Sequence, residues 1–137
     1  MHIIQKYFKN LTENQYHQLS KLPKLYNFWN EKINVISRKD IKDIEIHHIL
    51  HSLSIAKAID FKDKTKILDI GTGGGFPGIP LAILFPKCNF ILIDSIKKKI
   101  KVVNNIIDEI GLQNTIALDL RAENLNQKFD FIISRAV

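Results

Sequence analysis

The sequence predicts an α/β fold built on a parallel sheet, of the kind that binds nucleotides, with a helical region in front of it. The first observation is an apolar run, Ile67 to Ile70 with Asp69 inside it, that is typical of a strand buried on both faces. The run breaks into a turn with five glycines between residues 71 and 78, and an apolar stretch of helical character follows from Leu81 to Phe85. The second observation is that strand-length and helix-length patterns alternate from Lys66 onward. Strand, glycine turn and helix predict the first unit of a nucleotide-binding fold.

Residues 1–60 are predicted to be helical. Thr12 and Gln15 have the spacing of a capping box, which indicates that a helix begins there. Pro23 should kink that helix or start a new one, because proline lacks the N–H that a helix interior needs.

The rest of this region predicts a connection and a second helix. Residues 38–40 are interpreted as the connection, with Asp40 as a candidate cap, and the pattern from Ile44 to Ile59 predicts the helix. At 137 residues the chain has the length of one domain. We divide it into an N-terminal helical region, 1–60, and the first part of the sheet-containing core, 61–137.

The core continues with regular alternation after the glycine turn. Residues 90–93 predict a second strand, and apolar residues at helical spacing predict a helix over 96–110 that stops at Gly111. Residues 115–118 and 129–133 predict a third and a fourth strand. Ligands in such sheets bind where the strands end, so the residues that follow each strand are the candidates for a site.

The glycine turn favours an adenosine ligand without phosphates. Residues 73–78 satisfy the dinucleotide pattern G-x-G-x-x-G, which uses free amides at a helix N-terminus to hold a pyrophosphate. Pro77 and Pro80 remove two amides from that region, so an NAD-dependent oxidoreductase is disfavoured. Asp69 begins an Asp-x-Gly-x-Gly-x-Gly pattern, and Asp94 ends the second strand, where a carboxylate can accept both ribose hydroxyls. S-adenosylmethionine is the cofactor that matches these features.

The charge of the chain favours an anionic partner. Twenty lysines and arginines stand against 14 acidic residues, a formal net charge of +6. Nucleic acid is the commonest large anion, although a compositional bias toward Lys, Asn and Ile would raise the charge without a function. Four lysines (Lys97, Lys98, Lys99 and Lys101) crowd the start of a helix, where cations oppose the macrodipole. These lysines either bind an anion or form a solvent-exposed face of the helix.

Other features exclude several classes of protein. Cys88 is the one cysteine, which rules out an internal disulfide and fits the reducing cytoplasm. No apolar run approaches the ~20 residues that cross a membrane, and the start of the chain lacks the pattern of a signal peptide. The aromatic residues at 26–29 could stack on RNA, but their helical spacing favours core packing. His47, His48 and His51 contain an i, i+4 pair without the further ligands that a metal site needs, so we predict no metal.

The chain resembles the family of ribosomal RNA small subunit methyltransferase G, also called the glucose-inhibited division protein B family. The stretches that carry the resemblance are Phe28–Asn34, His48–Ser52, Gly71–Leu81, Asp94–Ser95, Arg121–Glu123 and Ile133–Ala136. The resemblance implies a class I S-adenosylmethionine-dependent methyltransferase, with a Rossmann-like, mostly parallel sheet. It also implies that cofactor contacts come from Gly71, Phe76, Ala122, Glu123 and Arg135, beside the Asp94 expected above. Members of the family often carry Asp where this chain has His51.

The family's activity is methyl transfer to guanine N7 in small-subunit (16S) rRNA, and the residues permit it. Methylation of pyrimidine C5 needs a cysteine nucleophile, and Cys88 precedes the second strand, at the wrong end of the sheet. Methylases of exocyclic amines in this fold show an acidic residue or Asn before Pro-Pro-aromatic, whereas this chain has Ser134-Arg-Ala-Val137. Guanine N7 is already nucleophilic and needs neither. The implied partner is small-subunit rRNA or the 30S particle. We expect the protein to be a monomer and to lie in the cytoplasm.

The resemblance also predicts that the sheet is incomplete in this chain. Family members continue for several elements, whereas this chain stops shortly after the fourth predicted strand. We therefore expect an apolar edge strand, low solubility and no turnover by this chain alone. A non-catalytic remnant that keeps part of the cofactor site is the alternative function.

Overall fold

The computed structural model describes residues 1–135 and contains one four-stranded parallel sheet, which confirms the predicted fold class. The strand order is β3-β2-β1-β4, and each neighbouring pair is parallel. The strands are β1 (Lys66–Ile70), β2 (Asn89–Ile93), β3 (Thr115–Leu118) and β4 (Phe131–Ile133). Ala136, the last residue of the Ile133–Ala136 motif, and Val137 lie outside the described residues.

Helices precede the sheet and lie in each of the three connections between its four strands. Those before the sheet are α1 (His2–Tyr7), α2 (Glu13–Asn30), α3 (Arg38–Lys42), a π-helical segment (Glu45–Leu50), α4 (His51–Leu53) and α5 (Ile55–Ala58). Those between strands are α6 (Gly78–Leu84), α7 (Lys97–Ile110) and a 3-10 helix (Ala122–Asn124).

Helix α2 confirms the predicted capping box and shows that no new helix begins at Pro23. The Thr12 hydroxyl accepts the Gln15 amide at 3.1 Å, and the Gln15 side chain accepts the Thr12 amide at 2.9 Å. The helix then runs through Pro23 to Asn30 without a new start. Leu22 and Tyr26, on either side of the proline, are fully buried. Their burial stabilises the helix enough to offset the hydrogen bond that proline cannot make.

Two expectations for residues 38–59 need correction. Arg38–Lys42 is a short helix rather than a connection, and its cap is Ser37, whose hydroxyl accepts the Asp40 amide at 3.1 Å. The stretch from Ile44 to Ile59 is helical as predicted, but it is divided into the π-helical segment, α4 and α5. A serine at Ncap satisfies an amide of the first turn as well as an aspartate does, so sequence did not separate the two candidates.

The boundaries of the core elements agree closely with the sequence. Helix α7 ends at Gly111, which adopts a left-handed conformation with φ 71°. Helix α6 begins at Gly78, three residues before the predicted apolar stretch, and β4 begins at Phe131 instead of residue 129. β4 forms one edge of the sheet, as predicted, and its Ile132 is 64% exposed.

The core lies between the sheet and the helices. Helices α6 and α7 pack against β2 and β3, and α2 contacts both of these helices. Tyr26 of α2 and Phe90 of β2 are among the largest fully buried side chains, and they belong to one continuous apolar cluster. Because the helical region and the sheet share this cluster, the helical region is fixed against the turn that follows β1.

Candidate cofactor-binding site

Parallel strands bring most of the predicted site residues to one edge of the sheet. Gly71 follows β1, Asp94 follows β2, Ala122 and Glu123 follow β3, and Arg135 follows β4. These are the carboxyl ends of the strands, where ligands bind in open α/β sheets. The Ser134 hydroxyl donates to the carbonyl of Ile70 at 3.1 Å, which ties the ends of β4 and β1 together.

The glycine turn leaves open space along its outer side. Gly71 and Gly73 have φ values of +67° and +59°, and a Cβ added at either position would meet nothing within 4 Å. These two glycines therefore serve a conformation that side chains rarely adopt, next to a surface that a ligand can approach. A Cβ added at Gly78 would instead lie 2.6 Å from Leu92 Cγ, so this glycine serves close packing of α6 on the sheet.

Asp94 holds the turn through two backbone amides. Its Oδ2 accepts the Gly73 amide at 2.9 Å, and its Oδ1 accepts the Ile96 amide at 2.9 Å. The carboxylate is half-buried, and each oxygen keeps a lone pair for a further donor. The residue can therefore accept ribose hydroxyls while it orders the glycine turn. The open glycine surface and this carboxylate fit S-adenosylmethionine, which brings a ribose and no phosphate.

Asp69 is fully buried and stabilises the turn from the interior of the protein. Its Oδ2 accepts the Thr72 hydroxyl at 2.7 Å and the Gly78 amide at 3.0 Å. Oδ1 has no hydrogen-bond partner among the described residues. Burial raises the pKa of Asp69 to about 7, and the two hydrogen bonds oppose that rise. Asp69 therefore shapes the turn from the interior instead of facing a ligand.

The start of α6 offers a phosphate no free amide. The Gly78 amide binds Asp69, the Ile79 amide binds the Gly75 carbonyl at 2.7 Å, and Pro80 has none. The Leu81 amide binds the Pro77 carbonyl at 3.2 Å. A pyrophosphate would need these donors, so the structure disfavours the dinucleotide interpretation for the physical reason the sequence indicated.

Phe76 lies at the centre of a stack of rings. It is 4% exposed, and its centroid lies 4.8 Å from that of Tyr26 and 4.9 Å from that of His48. The Tyr26 hydroxyl donates to the Gly74 carbonyl at 2.5 Å, so α2 reaches the backbone of the glycine turn. Burial raises the pKa of Tyr26 well above its usual range, which keeps the hydroxyl a donor. The predicted contact of Phe76 with the cofactor stays a prediction.

Arg135 reaches back to the helical region. Its Nη1 lies 2.7 Å from His48 Nδ1, and its guanidinium carbon lies 5.9 Å from the centroid of Phe76. The sequence offers His48 as a metal ligand or as part of a stretch that resembles the family, and it offers Tyr26 for core packing or for stacking on RNA. The helical pattern predicts that both residues lie on a buried face. It does not predict that His48 has a polar partner 87 residues away in Arg135.

Ala122 and Glu123 are exposed in the 3-10 helix after β3. Their placement at the sheet edge agrees with a ligand contact, and their predicted roles stay predictions.

Of the aromatic residues at 26–29, Tyr26 is in the core, whereas Phe28 is 53% exposed.

Of the three histidines weighed as metal ligands, the side chains of His47 and His48 have protein partners, whereas that of His51 has none among the residues described. His47 Nδ1 lies 2.9 Å from Asp40 Oδ1, and His51 is exposed. Within residues 1–135 no three His, Cys, Asp or Glu side chains form a group that could hold a metal ion. The same part of the chain contains no helix that is both long and apolar enough to cross a membrane.

Comparison with known proteins identifies related sequences over nearly the whole chain. The family of rRNA small subunit methyltransferase G matches residues 15–137. Proteins named ribosomal RNA small subunit methyltransferase G are 56% identical in Porphyromonas gingivalis and 60% identical in Flavobacterium johnsoniae, in each case over 98% of this chain. The relative of that name in Phocaeicola vulgatus is 58% identical over 100% of the chain. The chain spans 61%, 64% and 66% of these three relatives, in the order given.

Solved structures share the fold. The YcgJ protein from Bacillus subtilis is 27% identical with a TM-score of 0.54, over 63% of this chain and 38% of that protein. A SAM-dependent methyltransferase from Aquifex aeolicus has a TM-score of 0.55 at 21% identity, over 72% of this chain and 56% of that protein. At that identity the second likeness supports the fold alone.

Proposed function

The chain belongs to the family of rRNA small subunit methyltransferase G, and from this premise we propose that it carries the cofactor-binding part of an enzyme that methylates guanine N7 in 16S (small-subunit) rRNA. The family depends on S-adenosylmethionine, which confirms the cofactor predicted from the sequence. The observation that carries the proposal is the sheet edge, where the Asp94 carboxylate lies beside an open glycine turn and the start of α6 offers a phosphate no free amide.

Each residue at the edge has a proposed role that its position supports. Asp94 accepts the ribose hydroxyls, and Gly71 lets the cofactor approach the backbone. Ala122 and Glu123 pair with the edge of the adenine. Arg135 is the only one of these residues with a positive charge, which suits the methionine carboxylate or an RNA phosphate. Phe76 supports the turn that faces the cofactor.

The proposed chemistry asks little of the protein besides positioning. S-adenosylmethionine supplies an electrophilic methyl group on a sulfonium. Guanine N7 has a lone pair and needs neither a nucleophile nor a base, so the chain has only to hold N7 against the methyl group. Cys88 is buried at the amino end of β2, and its Sγ lies 3.1 Å from the carbonyl of Lys62. That position, at the edge opposite Asp94, argues against methylation of pyrimidine C5.

We propose that the RNA is held in part by the lysines at the start of α7. Lys97, Lys98 and Lys101 are exposed, and no carboxylate lies within 4.0 Å of them among the residues described. Lys97 is three residues after Asp94, so the start of α7 lies next to the proposed cofactor site. An RNA phosphate there would be attracted by the lysines and by the helix N-terminus. The proposed partner is small-subunit rRNA or the 30S particle, with the chain a monomer in the cytoplasm.

Calorimetric titration with S-adenosylmethionine and with NAD tests the cofactor site. Replacement of Asp94 by Ala removes a charge-assisted hydrogen bond, which costs ~1.5–3 kcal/mol, so affinity for S-adenosylmethionine should fall about 10- to 100-fold. Asp108→Ala, an exposed change on α7, is the control and should leave affinity unchanged. Unchanged affinity in Asp94→Ala would remove this residue from the site, and tighter binding of NAD would overturn the cofactor proposal.

Tritiated methyl transfer to 30S particles, followed by nucleoside analysis, tests the reaction. Label in 7-methylguanosine supports the N7 proposal, and label in any other nucleoside contradicts it. Because we expect no turnover by this chain alone, cofactor binding without incorporation agrees with that expectation and with the alternative of a non-catalytic remnant.

The salt dependence of rRNA binding tests the lysines. Replacement of the four lysines by Gln should flatten the slope of log affinity against log salt and should spare cofactor affinity. An identical slope in the variant would identify the lysines as a solvated face.

A further inference from the structure

We propose that His48 is a positioning residue for Arg135, which it holds at the carboxyl edge of the sheet to receive an oxyanion. The inference rests on the proposed function, because the oxyanion is the carboxylate of the cofactor or a phosphate of the RNA. It goes beyond the sequence resemblance, since it gives the N-terminal helical region a role in the site.

The contact between the two side chains determines the protonation state of His48. Arginine can only donate hydrogen bonds, so the nitrogen that lies 2.7 Å from Arg135 Nη1 must accept. His48 Nδ1 therefore carries no proton. The second nitrogen, Nε2, carries the proton. It lies 3.9 Å from Asp40 Oδ2, beyond hydrogen-bond distance, and has no hydrogen-bond partner among residues 1–135. The geometry thus requires a neutral imidazole with a proton on Nε2.

The surroundings of His48 favour that neutral form. The residue is 8% exposed, and its ring packs on Phe76. Burial, followed by the charge of Arg135, lowers the pKa of His48 to about 4. The other charged or titratable groups that act on the ring are Asp40, which raises the pKa, and His47 and His51, which lower it. At neutral pH the imidazole is therefore uncharged and can accept from Arg135.

The position of Arg135 makes this hydrogen bond consequential. A flexible arginine after an edge strand would lose several rotatable bonds of freedom on binding an anion. Here the guanidinium contacts His48 and lies 5.9 Å from the centroid of Phe76. It is also close enough to Asp69 for its charge to lower the pKa of that carboxyl. Its orientation is thus set before a ligand arrives. An arginine uses several N–H groups, so one bond to His48 leaves others free for a carboxylate or a phosphate.

The first arm of the test is independent of any ligand. Nitrogen NMR of the imidazole rings at neutral pH should show a His48 with a proton on Nε2 and an unprotonated Nδ1. Replacement of Arg135 by Gln should shift the Nδ1 signal. A proton on His48 Nδ1 would overturn the proposal even if the chain binds its cofactor. So would an Nδ1 chemical shift that is the same with and without Arg135→Gln. A chain with the expected signals that binds no S-adenosylmethionine would instead refute the proposed function.

The second arm measures the positioning effect. His48→Leu removes the acceptor, and His48→Asn keeps an oxygen near the place of Nδ1. We expect His48→Leu to weaken S-adenosylmethionine or rRNA binding about three- to tenfold, and His48→Asn to restore most of the loss. If affinity for S-adenosylmethionine falls, the oxyanion is the carboxylate of the cofactor. If affinity for rRNA alone falls, the oxyanion is a phosphate of the RNA.

Two controls separate positioning from folding. His51→Leu, an exposed change on the neighbouring turn, should leave both affinities unchanged. In a chain that already carries Arg135→Gln, His48→Leu should have no further effect on affinity, because a positioning residue acts only through its partner. An equal loss in the presence and absence of Arg135 would show that His48 has a structural role only.

Discussion

Replacement of Tyr26 by Phe tests whether helix α2 shapes the glycine turn through one hydrogen bond. The hydroxyl is fully buried and donates to the carbonyl of Gly74 at 2.5 Å. The change keeps the ring, which packs on Phe76 at 4.8 Å between centroids, so the cavity it leaves has the size of one oxygen. The variant therefore isolates the hydrogen bond from the packing of the aromatic side chain.

The cost follows from what happens to the Gly74 carbonyl. No other donor in residues 1–135 bonds to this oxygen, and Gly74 is buried, so loss of the hydroxyl leaves a buried acceptor unpaired. Such a loss costs about 1–3 kcal/mol of unfolding free energy. For a chain of this size the melting temperature should fall by about 3–10 °C. Gly74 follows Gly73, whose amide binds Asp94, so affinity for S-adenosylmethionine should fall about two- to fivefold.

Thermal and urea unfolding, with calorimetric titration of the cofactor, measure both effects. Tyr16→Phe is the matched control, because Tyr16 lies on the same helix and is 38% exposed. It should change the unfolding free energy by less than about 0.5 kcal/mol. If Tyr26→Phe destabilises the chain no more than Tyr16→Phe does, the bond to Gly74 contributes nothing and the reasoning is wrong.

Two further changes test the interior of the turn. Burial raises the pKa of Asp69 to about 7, so its contribution to stability is lost as the pH rises from about 4 to about 7. His48 acts in the opposite direction, because its pKa is lowered to about 4 and its contribution is lost as the pH falls through the same range. The stability of Asp69→Asn relative to the original chain should therefore increase with pH between 4 and 7 in urea titrations, and a constant difference would contradict the assignment. Gly78→Ala places a Cβ 2.6 Å from Leu92 Cγ and should cost about 1–3 kcal/mol in thermal unfolding. The pair with Leu92→Ala should lose less than the sum of the two single changes, and strict additivity would show that the two positions do not clash.

Local signals in the sequence were sufficient for most of the core. The period of the apolar residues in 96–110 and the glycine after it predict α7 and its end at Gly111, because side-chain period and the left-handed conformation are properties of a few consecutive residues. The Thr12–Gln15 capping box was predictable for the same reason. No new helix begins at Pro23, because the burial of Leu22 and Tyr26, which a local rule does not include, offsets the missing hydrogen bond.

Position in the sheet could be predicted, but partners within the site could not. Parallel strands place whatever follows them at one edge, so the sequence alone determined that Gly71, Asp94 and Arg135 lie at the same end of the sheet. The resemblance to a family added which of these residues to expect in a cofactor site.

What only the tertiary structure decided is which groups meet across long stretches of chain. Tyr26 binds the Gly74 carbonyl 48 residues away, and His48 binds Arg135 across 87 residues. A side chain's choice of hydrogen-bond partner depends on distance and burial once the helices have packed, and neither quantity is encoded in a local pattern. The sequence determined the elements and the edge at which they end. The packing of the helical region on the sheet determined how the glycine turn and Arg135 are held there.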